Sequence, residues 1–219
     1  QFVTIQNKSF KGCTSLTEIN IPDNIVVINE SAFENCVSVN TITFPENGSL
    51  NEIGAFAFRK LREVTTLVVP ITVSKMGEGA FARLVKLNDL TIPFVGAQPN
   101  INKNDSYLTL FGYIFGFVDK IATTDSGKPT NSNGAGINPD EELMYEVQQM
   151  YGESSSYWVY MPISLTTVRM HGIAQSVLKY GAFSECKHIE HVYLTDKYVT
   201  IEDYAFAGCY ALEELDLST

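Results

Sequence analysis

Four cysteines and three histidines are the side chains of this 219-residue sequence best suited to chemistry. An even number of thiols in an exported chain ordinarily signals disulfides. Here Cys13, Cys36, Cys186 and Cys209 each stand three residues after a phenylalanine and three before an apolar residue, and Leu61 and Leu84 hold the same place elsewhere. A position that accepts Cys or Leu calls for a small buried apolar group, so reduced thiols packed as hydrophobes are expected. Cysteines on successive turns of a repeat would also run parallel rather than toward one another, which does not suit a disulfide.

His188 and His191, together with Glu185 and Glu190, raise the question of a metal site. A structural zinc needs four ligands closing a tetrahedron, and no cysteine or carboxylate completes that set at suitable spacing. The strand pattern turns Ile189 and Val192 inward, leaves His191 facing solvent and places His188 at a turn, so no metal is expected there. The stretch TNSNGAGINPD (residues 130–140) resembles a calcium loop, but with Gly134 at the glycine position the first ligand would be Pro129, and the EF-hand pattern fails. A different calcium site from Asp125, Asn131, Asn133 and Asp140 stays open. No G-x-S-x-G, Walker, Rossmann or H-E-x-x-H pattern occurs, and no nucleophile is paired by motif with His171, His188 or His191. The sequence therefore argues against an enzyme and calls for no cofactor.

The elements that hold these residues are set by a period. A phenylalanine following a small residue recurs at Phe10, Phe33, Phe58, Phe81, Phe183 and Phe206, in steps of 23, 25, 23, 102 and 23 residues. Three residues on stands Cys or Leu, and three further Leu16, Val39, Val64, Leu87, Ile189 or Leu212. An alternating apolar pair follows: Ile19/Ile21, Ile42/Phe44, Leu67/Val69, Leu90/Ile92, Val192/Leu194 and Leu215/Leu217. Apolar residues three apart fit one side of a short α- or 3₁₀-helical turn, and the alternating pair fits one face of a short strand. Pro22, Pro45, Pro70 and Pro93 then end the strand and turn the chain. One such coil cannot bury its own apolar edge, but stacked coils can, with identical residues lying over one another.

The motifs LTEINI, LNDLTI and LEELDL fit the leucine-rich-repeat template. The segments SAFENCVSVNTITFP, YGAFSECKHIEHVYL and YAFAGCYALEELDLS closely resemble the BspA-like subclass of leucine-rich repeats, over residues 1–93 and 165–219. The resemblance implies an α/β solenoid: a right-handed leucine-rich-repeat superhelix with short strands on one face and short helical or 3₁₀ turns on the other. About four coils occupy residues 1–93, an insertion fills 94–161, and residues 162–219 continue the same solenoid. Repeat proteins of this subclass from Gram-positive gut bacteria carry an insertion similar to the PFVGAQ, FGYIFG and MPISLTTVRMHG segments found here. That likeness implies an extracellular, cell-surface setting.

Within the insertion, Leu108, Phe111, Ile114 and Phe115 have helix-like spacing, and residues 123–142 read as a Gly/Asn/Ser-rich mobile loop. Asn138 as N-cap, Pro139 at the first helical position and Gly152 as a stop predict a short helix. SSYWVYMP predicts an extended strand, and SLTTVRM a repeat strand with Leu165, Val168 and Met170 inward. Eight acids and three lysines between Phe94 and Ser164 give the insertion half of the net charge of −10.

That charge disfavours nucleic acid, whose recognition needs clustered Lys and Arg, and an anionic membrane surface. No run of 18 apolar residues would insert into a bilayer. The chain starts and stops inside repeats, as a piece of a longer protein would. What remains for function is surface. The outward strand positions Glu18/Asn20, Thr41/Thr43, Thr66/Val68, Asp89/Thr91, Thr167/Arg169, His191/Tyr193 and Glu214/Asp216 form the candidate binding face, roughly 29 Å long over seven strands. Threonine there is also simply a good solvated strand residue. The expected function is non-catalytic binding or adhesion to a protein or glycan, including host-derived ones, since BspA-like proteins are associated with attachment to host components and other cells. The alternative is a structural spacer within a larger surface protein.

Overall fold

The alternating apolar pairs do mark strands, each three or four residues long, in a computed structural model that describes residues 3–101, 106–116, 143–172, 175–195, 197–198 and 200–217. One side of the stack carries β2 (Glu18–Asn20), β4 (Thr41–Thr43), β6 (Thr66–Val68), β8 (Asp89–Ile92), β11 (Thr167–Met170), β13 (His191–Tyr193) and β15 (Glu214–Asp216). A second side carries β1 (Thr4–Ile5), β3 (Val27–Ile28), β5 (Glu52–Ile53) and β7 (Lys75–Met76) in one ladder, and β12 (Val177–Leu178) with β14 (Thr200–Ile201) in another. All these pairs are parallel and join equivalent repeat positions, as in Leu67↔Leu90, Leu90↔Val168, Val168↔Val192 and Val192↔Leu215. Because the side-chain period of a strand is two, this register stacks like on like inside the coil.

The phenylalanines form the expected column. Ring centroids lie 5.1 Å apart for Phe10–Phe33, 5.5 Å for Phe33–Phe58 and 6.0 Å for Phe58–Phe81, all stacked within 15° of parallel. Phe183 and Phe206 continue it at 5.3 Å. Phe58, Phe81 and Phe183 are fully buried. In the first and last coils Phe10, Leu215 and Leu217 are exposed, since only one neighbour covers them.

The arc that carries each phenylalanine is not the helical turn its spacing suggests. In every second residue of the arc the amide bonds the next coil: Phe33 N–H donates to the Ala57 carbonyl at 2.8 Å, and Ser31 and Asn35 donate to Ala55 and Arg59. The amides between them close local turns instead, Glu34 onto Ser31 and Cys36 onto Phe33. A helix would consume all of these donors internally. The alternation is made possible by left-handed residues two before and two after each phenylalanine. The first set is Lys8, Ser31, Phe56, Gly79, Gly181 and Tyr204; the second is Gly12, Asn35, Lys60, Arg83, Glu185 and Gly208, all with φ between 55° and 79°. Each such residue breaks a right-handed helix.

The insertion does not interrupt the stack. β8 pairs directly with β11 through Asp89↔Thr167 to Ile92↔Met170. On the arc side a 3₁₀ helix, Phe111–Phe115, lies between the coils of Phe81 and Phe183. Phe81 N–H donates to the Ile114 carbonyl at 2.9 Å, Phe111 N–H donates to the Ala182 carbonyl at 2.8 Å, and the Phe111 ring sits 4.7 Å from Phe183. A second 3₁₀ turn, Tyr107–Thr109, precedes it, so the helix-like spacing of Leu108, Phe111, Ile114 and Phe115 is realised as 3₁₀ structure.

The helix expected after Asn138 is corrected to a strand. β9 (Met144–Met150) pairs antiparallel with β10 (Ser156–Pro162), the strand that SSYWVYMP predicts. Local cap and charge signals favour a helix, but tertiary contacts override them. Gln149 is completely buried; its carbonyl oxygen accepts from Gly112 N–H at 2.6 Å and its amide donates to the carbonyls of Ala182 and Ser184 at 3.2 and 3.1 Å. Only an extended chain places this side chain on that side while Gln148 faces Ser156. At Gly181 a Cβ would lie 1.8 Å from the Met150 carbonyl, so the hairpin's approach requires glycine there. Asn138 and Pro139, the 123–142 loop and the Asp125, Asn131, Asn133 and Asp140 set lie outside the described residues.

Candidate functional site

Outward strand positions fall into two rows. The first holds Glu18, Thr41, Thr66, Asp89, Thr167, His191 and Glu214; the second holds Asn20, Thr43, Val68, Thr91, Arg169, Tyr193 and Asp216. Two corrections to the expected face follow. The seven strands do not make one ladder: β2–β4 form a pair, and β6, β8, β11, β13 and β15 form a separate five-stranded sheet. At the seam, Phe44 replaces the smaller Ile21, Val69 and Ile92 of other coils and meets Phe58 edge-on at 6.0 Å, while two extra residues lengthen the turn after Pro45. Thr167 is buried at 9% exposure rather than displayed, because Asp89 and His191 flank it in register on both sides. Of the others, Glu18, Asn20, Thr41, Thr43, Thr66, Val68 and Glu214 are exposed, and Asp89, Thr91, Arg169, His191, Tyr193 and Asp216 are half-buried.

Across the five-stranded sheet the half-buried residues interlock. Arg169 pairs with Asp89 one strand away, and its guanidinium lies 4.9 Å over the Tyr193 ring on the other side. The Tyr193 hydroxyl donates to Glu214 Oε2 at 2.7 Å, which raises the phenol's pKa. His191 Nδ1 lies 3.4 Å from the same carboxylate, and its Nε2 lies 3.9 Å from Glu190. The result is a cation, an aromatic ring and three carboxylates fixed relative to one another over four strands. Alternation in the sequence places each of these residues outward, but not these diagonal links. Which residues meet depends on β8 lying beside β11, and the long insertion hides that neighbour relation. The one available signal is that Arg169 and Tyr193 occupy the same repeat position.

Most of the other candidate groups are engaged in packing or hydrogen bonds. All four cysteines are free thiols; Cys36 and Cys186 are buried, while Cys13 is exposed and Cys209 half-buried. Cys36 Sγ and Cys209 Sγ donate to the Phe10 and Phe183 carbonyls of the preceding coil at 3.0 and 3.1 Å. Burial pushes the Cys36 and Cys186 thiols up and takes Cys209 to about 11, away from the nucleophilic thiolate. His171 Nε2 sits 2.7 Å from the Val69 carbonyl, and His188 packs edge-on against Tyr145. Among the described residues no three His, Cys, Asp or Glu side chains converge as a metal site, and no helix is long and apolar enough to cross a membrane.

With this geometry in view, the likenesses are informative about fold. No curated protein is similar enough to match. The pneumococcal vaccine antigen PcpA superposes with a TM-score of 0.50 at 17% identity, over 88% of this chain and 34% of its own. A leucine-rich repeat protein from Bacteroides ovatus gives 0.49 at 23% identity (97% and 40%), and one from T. pallidum 0.43 at 18% (98% and 63%). The chain thus spans less than two thirds of each of these structures. The pattern describing the BspA type leucine rich repeat region matches six times, over residues 1–107 and 155–219. Those copies cover the coils whose stacked phenylalanines and parallel ladders are set out above, and the chain belongs to this BspA-type leucine-rich repeat family.

Proposed function

We propose that the chain is a non-catalytic recognition module that works outside the cell, at a bacterial surface, and docks a protein partner on its strand face. The observation that carries this reading is the Asp89–Arg169–Tyr193–Glu214–His191 cluster. Arginine and tyrosine are the residue types that most often anchor protein interfaces, and here neighbouring strands hold them at fixed positions before any partner arrives. Preorganisation of that kind lowers the entropic cost of association. The non-catalytic part rests on Cys36, Cys186, Cys209, His171 and His188 being engaged in packing and hydrogen bonds. The surface setting rests on the family resemblance.

Binding of the chain to a panel of immobilised extracellular proteins, measured by surface plasmon resonance, tests the reading. At least one partner is expected to bind with Kd below about 10 μM, and Arg169→Ala with Tyr193→Ala to weaken it at least tenfold, about 1.4 kcal/mol, with the melting temperature unchanged. Equal binding by the double variant removes the strand face from the proposal. A panel without any binder favours the spacer reading, to which the stacked coils also lend support, because each coil packs on its neighbours along one elongated axis.

A further inference from the structure

A groove of about 810 Å³ runs between the turn of the β9–β10 hairpin and the corner formed by the coils of β12 and β14. Its volume falls in the roughly 300–1,000 Å³ range of small-molecule clefts. We infer that this groove binds a neutral oligosaccharide. None of its lining residues belongs to the outward strand face of β2 to β15 described above.

The lining carries the argument. Tyr151, from the hairpin turn, and Tyr180, from the coil of β12, both line the groove. Each ring is backed by another tyrosine: Tyr107 lies 6.3 Å from Tyr151, and Tyr204, 59% exposed, lies 5.2 Å from Tyr180. Sugar rings are amphipathic, with a C–H face that packs on an aromatic ring and a rim of hydroxyls that needs hydrogen bonds, and tyrosine supplies both an apolar body and a polar tip. The same lining carries Ser154, Ser155 and Thr200, with their hydroxyls, and the exposed carboxylates of Glu153 and Asp203. A hydroxyl both donates and accepts, and an ionised carboxylate accepts from up to two sugar O–H groups at once.

Charge selects the class. Lys179, the one cation among the described residues of the lining, is closed onto Glu202 at 2.9 Å, and the other Glu202 oxygen accepts the Tyr180 N–H at 3.0 Å. Glu153 and Asp203 therefore leave the groove negative. A sulfated, phosphorylated or sialylated glycan would meet the repulsion of Glu153 and Asp203, with Lys179 already paired, whereas a neutral sugar turns the same carboxylates into acceptors. The abundance of hydroxyl groups over carboxylates favours the sugar over a basic peptide, which would need only the charge.

Calorimetric titration of the 219-residue chain with cellotetraose, the N-acetylglucosamine tetramer and N-acetyllactosamine tests the inference. A heparin tetrasaccharide and an octalysine peptide are run alongside. At least one neutral sugar is expected to bind with Kd of about 1 mM or tighter and heparin not to bind. Asp203→Asn and Tyr204→Ala, both at exposed positions, should weaken that binding at least tenfold, and Ser154→Trp, which fills the groove from the hairpin turn, should abolish it. Arg169→Ala on the strand face should leave it unchanged, which separates this site from the protein-docking proposal. Failure of all three sugars, wild-type affinity in the groove variants, or binding of heparin or octalysine in place of the sugars would each overturn it.

Discussion

Phe58 is enclosed above and below by Phe33 and Phe81, and its side chain is fully buried. Phe58→Ala should cost roughly 3–5 kcal/mol, read as a lower midpoint in urea. Asn35 makes a sharper test of the arcs. It holds φ of 66° with its amide committed to the next coil, so Asn35→Val should destabilise by roughly 1–2 kcal/mol relative to Asn35→Gly. Equal stabilities of the two variants would mean that the left-handed turn is not required. Glu34 supplies the pH dependence. Burial alone would raise its pKa, but hydrogen bonds from Lys11 and Ser31 and the charges of Lys11 (2.8 Å) and Arg59 (3.6 Å) outweigh it and hold the carboxyl below its ordinary value. A lowered folded pKa stabilises at neutral pH, and that contribution fades as pH falls from the free glutamate value of about 4.3 through the folded one. Glu34→Gln should therefore destabilise the chain at pH 7 and progressively less toward pH 3, in denaturation curves run at both.

At the scale of elements, Gln149 is the buried side chain that ties the hairpin to both the 3₁₀ helix and the Phe183 coil. Gln149→Leu leaves Gly112 N–H without its acceptor and the Ser184 carbonyl without its donor, while the Ala182 carbonyl keeps the Phe111 N–H. Each buried group left unpaired costs roughly 1–3 kcal/mol, so the variant should lose at least 2 kcal/mol and expose β9–β10 to limited proteolysis ahead of the coils. How far such features could be read in advance divides by mechanism. The strands and the phenylalanine column were plain in the sequence because burial acts residue by residue with a fixed period. The arcs are not legible in the same way, because apolar residues three apart fit a helical turn and a chain of separate turns equally well. The discriminating sign lay two positions to either side of each phenylalanine, where Gly12, Asn35, Gly79, Gly181 and Gly208 recur. β9 misled for the opposite reason: its local signals were sound for a helix, but the partner that decides the matter comes from another coil. The outward face was legible from alternation, and its diagonal contacts were not, since they depend on strands brought together across the insertion.

For the molecule as a whole, order along the stack is uneven. Between β4 and β6 no strand ladder forms, although β3–β5 and the arc amides of Ser31, Phe33 and Asn35 still tie the same two coils together. Native-state hydrogen exchange should accordingly show the amides of β4 opening independently of the five-stranded sheet, at a lower free energy than those of β8 and β11. Uniform protection across all seven strands would contradict this. A rod fastened on two sides and unfastened on the third does not snap when loaded; it folds open like a book along its spine. If the chain is tethered at one end and pulled sideways at the other, the flexing point lies between its second and third rungs, so that the first two can tilt while the cluster around Arg169 keeps its shape.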